Sequence, residues 1–197
     1  MPKVPARRQG FTLIELLVVI AIISIIAGFL VPTLLRGRGE AYKVQCANNL
    51  RQIFSPAMTY SQSKGNTAFP FAPGKNPRAH EALNEMLAFD QEGLSPKLFK
   101  CPEGEAQEAQ VDVDDNDKFL LDAETLDYAW AGKRVKNTTA NQPLSSDKYI
   151  EGYEDEDGQH AGHKKGLNVL QTDGSVRFMF DTDIPDQETM LPKGLVR

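Results

Sequence analysis

Apolar positions fall into three regimes along this chain. From Phe11 to Leu35 they run almost without a break, FTLIELLVVIAIISIIAGFLVPTLL, and Glu15 is the only charge among them. Such a run predicts one helix. At ~1.5 Å per residue it is ~37 Å long, enough to cross a ~30 Å hydrocarbon core with tilt. Pro32 lacks an N–H and crowds the preceding turn, so a kink is expected there, with Gly28 just before it. A proline simply tolerated in a membrane helix is the other reading. After Arg36 the run gives way to steps of three and four: Ala41, Val44, Ala47, Leu50, Ile53, Phe54 and Ala57. That stripe predicts an amphipathic continuation of the helix over 36–62. Gly37 and Gly39 loosen the join, and Pro56 should interrupt the helix near residue 55.

Beyond residue 62 the apolar segments are short. Residues 80–90, HEALNEMLAFD, predict a helix burying Leu83, Met86 and Leu87. Phe99 to Pro102 reads as the end of an extended piece, and acidic 103–124 as a mobile surface loop. TLDYAWA (125–131) and SDKYIE (146–151) read as strands. The clearest hairpin is GLNVLQT-DG-SVRFMFD. With Asp173-Gly174 as a two-residue turn, Gln171 pairs with Val176, Val169 with Phe178 and Leu167 with Phe180. Val176, Phe178 and Phe180 then share a face that should pack on the amphipathic helix, with Arg177 and Met179 on the other. The fold class is α+β: a long N-terminal helix against a small antiparallel sheet.

Charge narrows the function. The chain carries 22 basic and 27 acidic residues, a formal −5. Lys3, Arg7 and Arg8 stand in the first ten residues with no acid, leaving 19 basic against 27 acidic residues, a formal −8, in the rest. An acidic remainder argues against nucleic-acid partners. A cleaved secretory signal has an apolar core of ~7–15 residues followed by small residues. The run here is longer and ends in Pro-Thr-Leu-Leu-Arg, so ordinary secretion fits poorly. Basic residues ahead of the run favour an N-terminus-in orientation, which Arg36, Arg38 and Lys43 weaken without reversing. Glu15 is the odd residue, since a carboxylate within a spanning segment costs roughly 2.5–3.5 kcal/mol. Either it snorkels to the nearby interface or it has a partner.

The run Arg7-Arg8-Gln9-Gly10-Phe11-Thr12-Leu13-Ile14-Glu15 resembles the processing site of type IV prepilins and type II secretion pseudopilins. The resemblance implies that a membrane prepilin peptidase cuts after Gly10 and methylates the new amine of Phe11. It makes Glu15 the assembly residue. Residues 1–10 are then a leader, 11–35 a transmembrane and filament-core helix, 36–62 its amphipathic continuation and 63–197 a periplasmic head. Residues 41–71 also resemble a recurrent run of the subfamily: Cys46, Asn48 to Ile53, Tyr60 and Phe69-Pro70. His163, nine further residues and Asp173-Gly174 resemble the signature of a pseudopilin-like subgroup, as does Cys101-Pro102. The family implies a structural subunit of a type II secretion pseudopilus or a type IV pilus-like filament. Its partners would be prepilin peptidase, copies of itself, other pseudopilins and an inner-membrane assembly platform. The protein would be single-pass, with a cytoplasmic N-terminus and a periplasmic head, reaching the cell surface when assembled. A minor tip or adhesin-like subunit using the same stem is the alternative.

Other chemistry is weaker. His160, His163 and Asp173 form a legal metal set, but Asp173 is already explained by the turn. Asp112, Asp114 and Asn116 begin like an EF-hand loop, yet Asp117 replaces the glycine and Ala123 the closing glutamate. Related pseudopilins often hold calcium in a late loop, so calcium at 112–117 or 154–157 stays a candidate beside a solvated acidic loop. Cys46 and Cys101, the only cysteines, would both face an oxidising periplasm. They form either a bridge clamping head to helix or two separate buried residues. No Ser/His/Asp or Cys/His arrangement has a recognisable local signature, so neither an enzyme activity nor a cofactor is expected, and an anchored hydrolase using His160, His163 and Asp173 is the third reading.

Overall fold

The computed structural model describes residues 13–63, 67–72, 74, 77–102, 104, 106–112, 118–147, 166–184, 192 and 195–196. In chain order it has α1 (Leu13–Ser63), α2 (Ala79–Phe89), a 3₁₀ turn (Pro96–Phe99), β1 (Tyr128–Ala131), β2 (Pro143–Asp147), β3 (Gly166–Gln171), β4 (Val176–Phe180), a second 3₁₀ turn (Asp181–Asp183) and β5 (Leu195–Val196). The strands form one antiparallel sheet in the order β4-β3-β2-β1-β5. This is the α+β architecture expected. The chain divides into two compact units, Met1–Arg38 and Gly39–Arg197.

α1 is unbroken at Pro56, against expectation. The proline cannot donate to the carbonyl of Gln52, but Gln52 is exposed and water can serve that oxygen. Ile53, Ala57 and Tyr60 are buried on either side, so core packing outweighs the lost bond. The buried face also differs from the predicted stripe. It is Cys46, Asn49, Leu50, Ile53, Ala57, Tyr60 and Ser61, while Ala41 is exposed and Val44 is 58% exposed. At 100° per residue Val44 stands 200° from Cys46, on the opposite side of the helix. Burying Leu50 and Ile53 fully is worth about 1.5–3 kcal/mol each.

α2 buries Ala79, Ala82, Leu83, Met86 and Leu87, which includes the three predicted residues. It lies against β1, whose four residues are all buried. Trp130 is fully buried and its Nε1–H donates to Pro70 O at 2.8 Å. Phe99 closes a 3₁₀ turn rather than an extended piece, because Ser95 accepts from Lys97 N and Pro96 fits the first turn. The strand predicted at 125–131 begins only at Tyr128. The one predicted at 146–151 is instead Pro143–Asp147; residues 148–151 lie outside the described residues.

The hairpin exists, but its register is one residue off the predicted one. Leu170 pairs with Val176, Val169 with Arg177 and Leu167 with Met179. The connection is the three-residue loop Thr172-Asp173-Gly174, closed by Gln171 N to Ser175 O at 2.8 Å. Thr172 leaves the ladder because it is bound elsewhere. Its N–H donates to Gln142 O, its hydroxyl to Thr139 O, and it accepts from Gln142 N. Gly174 takes φ 82°, the left-handed residue such a loop needs. The alternation of β4 is also looser than expected. Val176 packs on the main core, but Met179 packs on Leu167, Val169 and Ile184, and Phe180 is 53% exposed. Lys43 Nζ covers the Phe178 ring at 3.5 Å.

Candidate functional site

Three places carry chemistry. The first is the start of α1. Leu13–Val31 is a 19-residue apolar stretch, none of it buried, whose length and composition fit a membrane anchor. Nineteen residues rise ~28 Å, close to a hydrocarbon core. Leu13 is 81% and Phe29 78% exposed, so the helix offers apolar surface all round. The hydroxyl of Ser24 is satisfied within the helix, donating to Ile20 O at 2.7 Å. Glu15 stands exposed in the first turn, on the surface shared with Ile14, Val18 and Val19. Gly10 and Phe11 lie outside the described residues. α1 continues as helix through Gly28 and Pro32.

The second place is a buried polar cluster beside a disulfide. The structure bonds Cys46 on α1 to Cys101, with Cα atoms 5.4 Å apart, and both are buried. One turn along α1, Asn49 Nδ2 donates to Lys100 O and to the Tyr128 hydroxyl, each at 3.1 Å. Asp147, 1% exposed, accepts from Asn168 N at 2.8 Å. Asn168 Nδ2 returns to α1, donating to Lys43 O at 3.0 Å. Burial pushes the Tyr128 phenol well above its ordinary pKa of 10, and the Asp147 carboxylate adds to the rise. Asp127 braces the other side: its carboxylate accepts from Cys101 N and Ala106 N. Gly104 lies so close to that carboxylate that a Cβ has no room. The two sulfurs and an Asp147 oxygen lie within 4.8 Å of one another. Bonded together, the sulfurs offer no thiolate to a cation.

The third place is a cleft of about 730 Å³ between the end of α2 and the described residues of 107–112 and 118–125. Most described residues of 103–124 are exposed, as expected of a surface segment, but four are anchored in the core. Ala106, Ala109, Phe119 and Leu121 are buried. Asn84 clasps Leu121 through both backbone groups, and Gln91 does the same to Phe119, at 2.8–3.0 Å. Asp122 accepts from Glu124 N, Thr125 N and the Thr125 hydroxyl, which hold its pKa below the usual range.

Of the proposed metal residues only Asp112 and Asp173, one from each set, are described. Asp112 is exposed and its backbone pairs with Lys118. Asp114, Asn116, His160 and His163 lie outside the described residues, as does 154–157. Asp173 sits exposed at the hairpin tip, its carboxylate accepting from Ser175 N at 2.9 Å, which lowers its pKa. The sequence reading missed Asn49, Tyr128, Asp127 and Asp147. The signal available was a polar Asn49 on an otherwise apolar helix face.

Residues 5–31 match the family model described as the prokaryotic N-terminal methylation motif. That match supports a prepilin of the type IV pilin-like class. It covers Gly10, Phe11, Glu15 and the whole exposed apolar stretch. No curated protein and no solved structure matches the chain. The long N-terminal helix and small antiparallel sheet are consistent with a pilin fold.

Proposed function

We propose that this chain is a structural subunit of a type II secretion pseudopilus or a related type IV pilus-like filament. The observation that carries the reading is Glu15, alone in charge on an exposed apolar helix and inside the matched motif. Prepilin peptidase removes residues 1–10 on the cytoplasmic side and methylates the amine of Phe11. Methylation keeps that amine positive. Glu15 of one subunit then pairs with the Phe11 amine of a neighbour. Either charge alone in hydrocarbon is costly, so their pairing sets the axial register between subunits. The head remains on the far side of the inner membrane, where an oxidising environment maintains the Cys46–Cys101 bridge. The role is structural rather than catalytic.

Glu15→Val tests this. The variant should insert and be cleaved, since Gly10 is untouched, yet filaments should fall to background. Glu15→Asp keeps the charge with a shorter reach and should give reduced but measurable filaments. Cleavage is read by mass spectrometry and filament yield by shearing, on the same strains. Normal filaments from Glu15→Val would sink the pairing mechanism. Failure of that variant to insert would assign Glu15 to targeting instead.

A further inference from the structure

We propose that the acidic cleft of one head receives the basic loop 133–136 of a second copy, making a head-to-tail contact between neighbouring subunits. The proposal rests on the filament reading and names a contact that the stem alone does not provide.

The cleft is built in advance. Its floor is Phe119, and its wall is the 119–121 segment that Asn84 and Gln91 hold through paired hydrogen bonds. Among the described residues its lining carries the carboxylates of Glu108, Asp112, Asp122 and Glu124 and the ammonium of Lys118. Leu120, 69% exposed, adds apolar surface at the same place. A cleft with two such anchored positions suits a backbone-held, cationic segment with aliphatic stems, because less conformational freedom is lost on docking.

This chain presents such a segment. Lys133, Arg134 and Lys136 are exposed, while Val135 between them packs on the core. The loop is held along its backbone. Phe69 N donates to Val135 O, Asn137 N to Thr67 O, and Ala68 pairs with Lys136. The Asn137 amide is fixed to the Ser61 hydroxyl of α1. A cationic loop held along its backbone therefore faces a cleft whose described lining is mainly acidic.

Placement on the fold makes the contact head-to-tail. Thr125, on the cleft, precedes β1 by three residues; Lys133 follows it by two. The two patches are thus tied to opposite ends of one strand, which spans ~13 Å at ~3.3 Å per residue. A loop at one end and a cleft at the other cannot satisfy each other within one head. They can satisfy a neighbour, and then the next. A contact between two different patches on identical copies propagates as a ring or an open helical array.

The full-length chain in filament-forming cells tests this. A switch to ¹⁵N medium in mid-growth gives filaments of mixed light and heavy copies. A carbodiimide then joins carboxylates to amines in direct contact. The expected products are light–heavy peptides linking Lys133 or Lys136 to Glu108 or Glu124. Glu108→Lys with Glu124→Lys should cut filament yield several-fold, as should Lys133→Glu with Lys136→Glu. All four together should restore at least half of it. Trp130 fluorescence confirms that each head is folded. At 1 M salt, where screening acts within ~3 Å, wild-type filaments should shorten. Filaments that form without light–heavy links at these residues, or that tolerate either reversal, overturn the contact while leaving the filament reading intact. Absence of filaments from the wild-type chain overturns both.

Discussion

Removing the bridge between α1 and residue 101 is the sharpest test of how the head is held. Cys46 and Cys101 are 55 residues apart in sequence, and both side chains are buried. Replacing both by Ala removes the cross-link and leaves the rest of the core nearly unchanged in volume. A closed loop of that size restricts the unfolded chain by about 14 cal/mol/K, or about 4 kcal/mol at 25 °C, in the chain-entropy treatment. Residual structure in the unfolded chain reduces this, so a loss of about 2–4 kcal/mol is expected. Trp130 supplies the probe. It is the only tryptophan, is fully buried, and its ring N–H is bound to Pro70 O. Urea unfolding of the full-length protein in detergent, followed by tryptophan emission, reports the head directly. With m of about 2 kcal/mol/M, the midpoint should drop by about 1–2 M. Wild-type protein treated with a dithiol should move to the same midpoint as the double variant. A shift under about 0.3 M in both would show that the bridge does not restrain the unfolded chain, and would refute the reasoning.

Three further outcomes are expected. Mass spectrometry of membrane-purified protein should show an N-terminus at methylated Phe11, and Gly10→Val should leave the precursor uncut. Tyr128 has a raised pKa in the folded state. Its contribution is therefore complete below pH 10, where the unfolded chain is also protonated, and is lost as pH rises from 10 towards the folded value. Tyr128→Phe should flatten that alkaline loss in urea midpoints, at a cost near neutrality of about 1 kcal/mol for the Asn49 hydrogen bond. Gly174→Ala should lower the thermal midpoint, because φ of 82° disfavours a side chain by about 1–2 kcal/mol and the new Cβ would meet Phe54 at 2.7 Å; an unchanged midpoint would show that the hairpin tip relaxes freely.

What the sequence reveals here depends on how local the cause is. The apolar run of α1 and the i, i+3, i+4 spacing of α2 are local, and both helices are legible. The hairpin is legible as a hairpin, but its register is not. Thr172 is drawn out of the ladder by Thr139 and Gln142, some thirty residues away. Pro56 misleads for the same reason, since burial of Ile53 and Ala57 against distant strands keeps the helix going. β5 is two residues long and is defined only by its pairing with Trp130 and Ala131. The stem was readable as a methylation motif, which the match over residues 5–31 supports, whereas the cleft was not. Its wall depends on Asn84 and Gln91 finding backbone partners 37 and 28 residues later. The cysteines lie between these cases. Two cysteines allow one pairing, but only the fold brings their Cα atoms to 5.4 Å.

Three of the ties between α1 and the rest of the head lie close together on the helix, and this bears on the proposed role. Lys43 O accepts from Asn168 on β3, Cys46 is bonded to Cys101, and Asn49 donates to Lys100 O and the Tyr128 hydroxyl. These attachments span seven residues of helix, six steps with a rise of ~9 Å. Together they reach the β3 ladder, the segment after the Pro96–Phe99 turn (through both Cys46 and Asn49) and β1. Asp147 links two of them, accepting from Asn168 N while raising the Tyr128 pKa. Under the filament reading, a subunit is held by its stem, so load arrives along α1 and enters the head here first. Apolar packing resists such load weakly at the start, because Leu50 and Ile53 can slide along a greasy surface before they are exposed. A covalent bond and directional hydrogen bonds do not slide. Placing them ahead of the apolar face, at 43–49 rather than 50–60, means that the helix cannot be drawn out of the head without first breaking the disulfide or stretching the segment that carries Cys101. That segment is itself anchored by Asp127 to Ala106, and by Asp127 N to Phe99 O. The bridge therefore matters twice under the filament reading: it restricts the unfolded chain at equilibrium, and it lies in the path of load that enters along α1.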